Sequence, residues 1–218
     1  LNIPKIEDNL RFLQEQTHAH MHVDLIVGLP GESLEGFGNN LDALYALTRC
    51  EIQIGILKKL SGTTLSRHDE VYGMVYSDKP PYDILCNGLI DFTQMQAMKR
   101  FARFWDMVYN SGNFKQSASL LWEDGRVFEG FYAFSTWLYA QTDSTWQISL
   151  DRLAQLIFRY LCEEKSHEEE AIKALLIGDI MGVRGRKMPS VVRENYVPKE
   201  EQHSTLKLNK RQLKHAGV

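Results

Sequence analysis

The chain has 218 residues, 44% hydrophobic and 24% charged, with a formal net charge of −3. This is an ordinary globular composition with enough apolar material for a core. No run approaches the roughly 18–20 apolar residues of a membrane span, and the charged, amphipathic opening "LNIPKIEDNLRF" does not read as a signal peptide.

The chain begins at leucine and reads as a piece of a longer protein or a trimmed one. Pro4 suits the first turn of a helix, and Ile6, Leu10 and Leu13 recur at helical spacing, so an amphipathic helix is expected over 4–16. Met21 to Val27 reads as a strand in which Val23, Leu25 and Val27 alternate with Asp24, Ile26 and Gly28. Ser33 is a good N-cap, with Glu35 in the first turn of a helix over about 34–47. A second strand follows at about 51–58, with Ile52, Ile54 and Ile56 on one face and Glu51, Gln53, Gly55 and Leu57 on the other. This order is the βαβ rhythm of a parallel sheet. Such sheets normally bury both faces. Polar or missing side chains on one face therefore suggest a cofactor cavity, the alternative being edge strands that face solvent.

A turn-rich stretch with Tyr72, Gly73, Tyr76, Asp78 and Pro80-Pro81 marks a domain boundary within 66–82. Beyond it the period becomes helical. A helix is expected over about 93–110, capped near Asp91 or Thr93 and carrying Met95, Met98, Ala102, Trp105 and Tyr109. Phe128, Phe131, Tyr132, Ser135, Leu138 and Tyr139 mark another, and Ser149 opens a third. Ser166 with Glu169 has the spacing of a capping box before Ile172, Leu175, Leu176 and Ile180. The aromatic stripes read as packing. Phe92, Phe101, Phe104, Trp105, Phe128, Phe131 and Trp137 nonetheless exceed what one small bundle core obviously needs, so some are expected to face the α/β part or a substrate. The expected fold class is therefore α/β followed by all-α. The division is βα units over 1–66, a linker over 67–82, a helical accessory domain over 83–183, and a basic tail over 184–218.

Three scattered cysteines, Cys50, Cys86 and Cys162, lack the spacing of a zinc or redox motif. Their sparse, odd count suits a reducing, cytoplasmic compartment, where they act as small buried hydrophobes. From Arg184 onward there are nine Lys/Arg against three Asp/Glu. No basic and aromatic interleaving accompanies them. The tail therefore reads as a solvated terminus, with nucleic acid an unlikely partner and a membrane not expected as one.

The stretch "GLPGE" is neither a Walker loop nor GxGxxG. It turns the chain at the carboxyl end of a strand and feeds a helix N-terminus, which is the edge where α/β folds place ligands. Asp24, in phase with Gly28, is placed to accept hydrogen bonds from ribose hydroxyls, or else to serve as a structural acceptor.

These residues carry a resemblance. "VDLIVGLPGES", followed by "GF", resembles the late-barrel segment of radical S-adenosylmethionine enzymes, especially the cobalamin-dependent and coproporphyrinogen-oxidase-like ones. "IQIGILKKLSGTTL" is similar to that family's following strand, with Ser61 where a proline is usual. "YGMVYSDKPPYDIL" and "YNSGNF" resemble the helical C-terminal domain appended to cobalamin-binding iron–sulfur oxidoreductases.

The resemblance covers roughly residues 1–140. It implies two βα units of a partial parallel barrel plus a helical accessory domain, and S-adenosylmethionine as cofactor. The [4Fe–4S] cluster, and cobalamin where used, would be held by the parent upstream of Leu1, since the family's CxxxCxxC loop does not occur here. On the match, Asp24 would contact the ribose, Ile54, Gly55 and Leu57 would flank the adenine, and Gly28 and Gly31 would keep the turn close to the cofactor. None of these residues is catalytic or metal-ligating, and this chain alone would be inert. Its expected partners are the upstream barrel half and a small-molecule substrate. The rival expectation is a non-catalytic interaction module with a small nucleotide-binding-like α/β part.

Overall fold

The computed structural model describes residues 3–18, 21–48 and 50–195. They form a mixed, helix-rich fold with two small sheets. The chain divides into two compact units. One takes residues 1–110 and 122–145, the other 111–121 and 146–218.

In the first unit, α1 (Ile3–Gln16) precedes β1 (His22–Val27), α2 (Leu34–Leu47) and β2 (Glu51–Ile56). The two strands pair in parallel, with His22 opposite Glu51 and Val27 opposite Ile56. Ser33 caps α2 as expected, its hydroxyl accepting from the Gly36 amide at 3.0 Å. A short antiparallel pair, β3 (Val75–Tyr76) and β4 (Ile84–Cys86), follows a 3₁₀ turn at Thr64–His68.

The linker expected over 67–82 is instead part of this unit. Residues 82–84 run back beside the end of β2, with the Lys59 amide donating to Tyr82 at 3.0 Å and the Ile84 amide to Leu57 at 2.9 Å. Backbone pairing across the expected boundary is what moves it.

Asp91, not Thr93, caps α3 (Phe92–Trp105), through a full capping box with Gln94. The helix closes in a π turn, Asp106–Asn110. There the Asn110 side chain bonds both backbone groups of Ile52, accepting from its amide at 3.2 Å and donating to its carbonyl at 3.0 Å. The Trp105 indole donates to the same carbonyl at 2.9 Å. One side-chain amide thus replaces a neighbouring strand on the outer edge of β2.

The next helix, α4 (Val127–Thr142), has no cap from its own Arg126. Asp42 of α2 supplies one by accepting from the Phe128 amide at 2.7 Å. Close approach of these helices needs Gly38, because a Cβ there would lie 2.5 Å from the Phe128 ring. Phe101, Phe104, Trp105 and Phe131 are fully buried with Val27, Phe37, Leu41 and Ile52. Much of the aromatic stripe is therefore core to the α/β piece, while Phe92 is exposed.

In the second unit, Ser149 caps α5 (Leu150–Arg159), which runs into a π turn, Tyr160–Glu164; α6 (Glu169–Met181) follows. The expected Ser166/Glu169 capping box does not form. Ser166 has φ 57°, and the Lys165 and His167 amides close the preceding turn onto Tyr160 and Leu161. A residue used to end one helix in a left-handed conformation is not available to cap the next. Asp179 of α6 is buried and accepts three hydrogen bonds, from the Gln116 amide at 2.8 Å, the Ser117 amide at 2.9 Å and the Ser117 hydroxyl at 2.7 Å. The start of the basic tail is a 3₁₀ turn, Ser190–Asn195, anchored by the Ser190 amide on Asp151 at 2.7 Å. The tail beyond residue 195 lies outside the described residues.

Candidate functional site

The parallel register gives the sheet two unlike faces. Val27 and Ile52 are buried on the packed face, where Val23, Leu25, Ile54 and Ile56 are half-buried. The other face carries His22, Asp24 and Ile26 beside Glu51, Gln53 and Gly55, with Asp24 opposite Gln53 and Ile26 opposite Gly55. Asp24, Ile26, Gln53 and Gly55 are exposed. His22 and Glu51 approach to 3.2 Å at the start of the strands. A Cβ on Gly55 would come no closer than 3.9 Å to any neighbour, so the backbone here is bare on that face. Chemically this is a carboxylate and an amide side by side, next to a flat, open strip. It is suited to hold hydroxyl groups and a planar ring.

The six residues singled out from sequence do not converge. Asp24 and Gly55 share the open face. Ile54 lies on the opposite, packed face and Leu57 is buried, its amide bonded to the Val27 carbonyl at 3.0 Å. A ligand on the Asp24 face therefore meets Gly55 and Ile26, not Ile54 or Leu57.

Gly28 and Gly31 adopt φ of 91° and 79°, in the region that favours glycine. Protein also crowds both positions. A Cβ on Gly28 would lie 2.9 Å from Ile84, and one on Gly31 would lie 3.0 Å from the Tyr72 ring. The turn is thus shaped by the segment that follows β2.

Sequence reasoning missed Glu32, Tyr72 and Asn87. Asn87 is buried. Its side-chain oxygen accepts from the Leu89 and Ile90 amides at 2.8 and 2.7 Å, and its nitrogen donates to the Glu32 carbonyl at 3.4 Å. It joins the 87–90 loop to the glycine turn, and the Asn-Gly pair at 87–88 was the signal available for it. The Glu32 carboxylate accepts from Asn40 at 3.3 Å, while its second oxygen is buried without a hydrogen-bond partner among the described residues.

Burial pushes the Glu32 carboxyl above its usual range, against the opposing pull of Asn40 and the Leu29 and Gly28 amides. A carboxyl whose folded pKa is raised favours the folded state while it is protonated. That contribution is lost as pH rises from the ordinary glutamate range through the raised value. Glu32→Gln is therefore expected to melt higher than the parent at pH 7, with the difference vanishing toward pH 4. Thermal unfolding across that pH range checks this, and a gap independent of pH would refute it.

At the far end of β2, Lys59 pairs with Asp69 and lies 5.1 Å from the Tyr76 ring centre. Burial, then the Asp69 charge, push the Tyr76 phenol up. Among the described residues no group of three or more His, Cys, Asp or Glu is placed to hold a metal ion. No helix among them is long and apolar enough to cross a membrane.

A family model described as a protein of unknown function, DUF4080, matches residues 70–216. No curated protein and no solved structure matches the chain.

Proposed function

The chain belongs to the DUF4080 family, and from that premise we propose that it is the C-terminal part of a radical S-adenosylmethionine iron–sulfur oxidoreductase. In this reading β1 and β2 are two late strands of a partial barrel and the open sheet face is part of the S-adenosylmethionine pocket. The observation that carries it is the bare face itself, with Asp24 and Gln53 at mid-strand and Gly55 nearer the carboxyl end of the parallel pair, ahead of the Gly28–Gly31 turn.

The residues fit the group. Asp24 is an exposed acceptor for the ribose hydroxyls, and Gly55 with Ile26 leaves a flat seat for the adenine. The cofactor would supply radical chemistry through reductive cleavage at a cluster held by the upstream part of the parent, where cobalamin would be a further group only if the parent uses it. This chain's own residues bind and orient. The edge of β2 blocked by Asn110 and Trp105 suits a final barrel strand, with the upstream half continuing on the β1 side.

In the full-length parent, Asp24→Asn removes the charge and keeps the size. A lost charge-assisted hydrogen bond is expected to cost about 1.5–3 kcal/mol of S-adenosylmethionine binding, roughly ten- to a hundredfold in affinity. Equilibrium binding measures it, and unchanged affinity would return Asp24 to a structural role.

A second reading, a non-catalytic interaction module, draws on α1, where Ile3, Ile6, Phe12 and Leu13 are exposed. The two separate on the parent sequence ahead of Leu1. A CxxxCxxC loop there favours the enzyme and its absence favours the module.

A further inference from the structure

We propose that Asn87 is a site of covalent self-modification: the Asn87-Gly88 pair converts to isoaspartate or aspartate when the 87–90 loop opens, and the closed fold holds the reaction in check. Asn87-Gly88 is the one Asn-Gly step in the chain. In the reaction the Gly88 amide nitrogen attacks the Asn87 side-chain carbonyl carbon. A C–N bond forms and closes an imide ring. The side-chain nitrogen leaves as ammonia, taking up the proton that the Gly88 amide loses, and water then opens the ring at either carbonyl. Glycine favours the attack because its backbone reaches the required geometry with no side chain in the way. The site is independent of the S-adenosylmethionine reading.

The closed loop holds every group that the reaction needs. The Gly88 amide donates to the Tyr72 carbonyl at 2.7 Å, which keeps the proton on the attacking nitrogen. The Asn87 nitrogen donates to the Glu32 carbonyl at 3.4 Å, and its oxygen accepts from the Leu89 and Ile90 amides at 2.8 and 2.7 Å, so the side chain is fixed. Those two donors also polarise the carbonyl toward attack. Their pull is outweighed while the nucleophile keeps its proton and Asn87, only 8% exposed, is shut from water. The Gly88 backbone has little room to swing. A Cβ on Gly88 would lie 3.2 Å from the Tyr72 carbonyl, and one on Gly73 would lie 3.4 Å from the Gly88 nitrogen. Opening is nonetheless local, because Gly88 and Leu89 are exposed and bury little apolar surface.

The conversion runs one way. Isoaspartate adds a carbon to the main chain, which moves the Gly88 amide off the Tyr72 carbonyl. Both products lose the Asn87 donor and leave a carboxylate near the Glu32 carbonyl, an unfavourable meeting of two acceptors. The modified loop therefore no longer closes on the glycine turn.

The test incubates the full chain at mildly alkaline pH, both folded and unfolded in urea. Mass spectrometry of the peptide carrying Asn87 follows loss of the amide nitrogen, and labelling by an isoaspartyl methyltransferase reports the lengthened backbone. In urea Asn87 is expected to react ahead of every other asparagine. In the folded chain it is expected to react at least tenfold more slowly, since only the open fraction is competent. Folded chain carrying the modification is expected to lose hydrogen-exchange protection at the Gly88 amide by at least tenfold. Equal rates in the two conditions would show that the fold exerts no check. No preferential reaction at Asn87 in urea would remove the site, and unchanged Gly88 protection after modification would show that the loop closes again. Any one of these three results overturns the proposal.

Discussion

Trp105→Ala is expected to destabilise the first unit by about 3–5 kcal/mol, the range for truncating a buried large aromatic. Trp105 is fully buried, stacks on Tyr109 at 4.4 Å between ring centres, and meets Phe131 edge-on at 5.0 Å. Its indole hydrogen bond contributes less than its volume, because the Ile52 carbonyl keeps the Asn110 donor. Trp105→Phe is therefore expected to be the milder change. It loses a hydrogen bond worth about 0.5–1.5 kcal/mol and part of the ring. Urea denaturation of both variants separates the terms. An alanine variant within about 1 kcal/mol of the parent would mean that the aromatic cluster does not hold β2 as described.

Asp179→Ala is expected to have the largest effect in the second unit. Three donors, two of them backbone amides, converge on one buried carboxylate. Each hydrogen bond to a charged acceptor is worth about 1.5–3 kcal/mol and the three are not additive, so a loss of at least ~3 kcal/mol follows. Asp179→Asn keeps one acceptor oxygen but turns an amide nitrogen toward a donor, and falls between. Hydrogen exchange at the Gln116 and Ser117 amides gives the local readout, since both are expected to lose protection early. A loss below 1 kcal/mol with protection intact would show that other acceptors can replace the carboxylate.

Much of this architecture was legible because it is local. Ser33 before a helical stripe and alternation over 22–27 need only neighbours to be recognised. Ser149 ahead of α5 was equally plain. What escaped depends on distant partners. Asn110 reads as a helix-stopping residue in "NSGN", and nothing nearby reveals that its amide reaches Ile52. Nothing in the sequence around Asp42 signals a role outside α2, and only the fold makes it the cap of α4. Ser166 and Glu169 have the right spacing for a capping box, but backbone closure of the preceding turn takes priority.

The site divided along the same line. Asp24 and Gly55 follow from strand phase. Ile54 and Leu57 were assigned to a ligand by resemblance, although alternation already put Ile54 with Ile52 and Ile56. The roles of Tyr72 and Asn87 arise from a loop that returns to the glycine turn, so composition alone did not reveal them.

The Asn110 clasp on Ile52 also sets a valence. A two-stranded strip with both margins open can add copies at either side and grow without limit. Here the β2 margin is closed at one end by Asn110 and Trp105, and at the other by residues 82–84 running beside 57–59. Among the described residues both ends of the β2 margin are thus engaged, which leaves the β1 margin the more open one, and two such margins that join edge to edge use each other up. Such contact stops at a pair, so concentration-dependent association through the sheet should plateau at a dimer and not proceed to fibres.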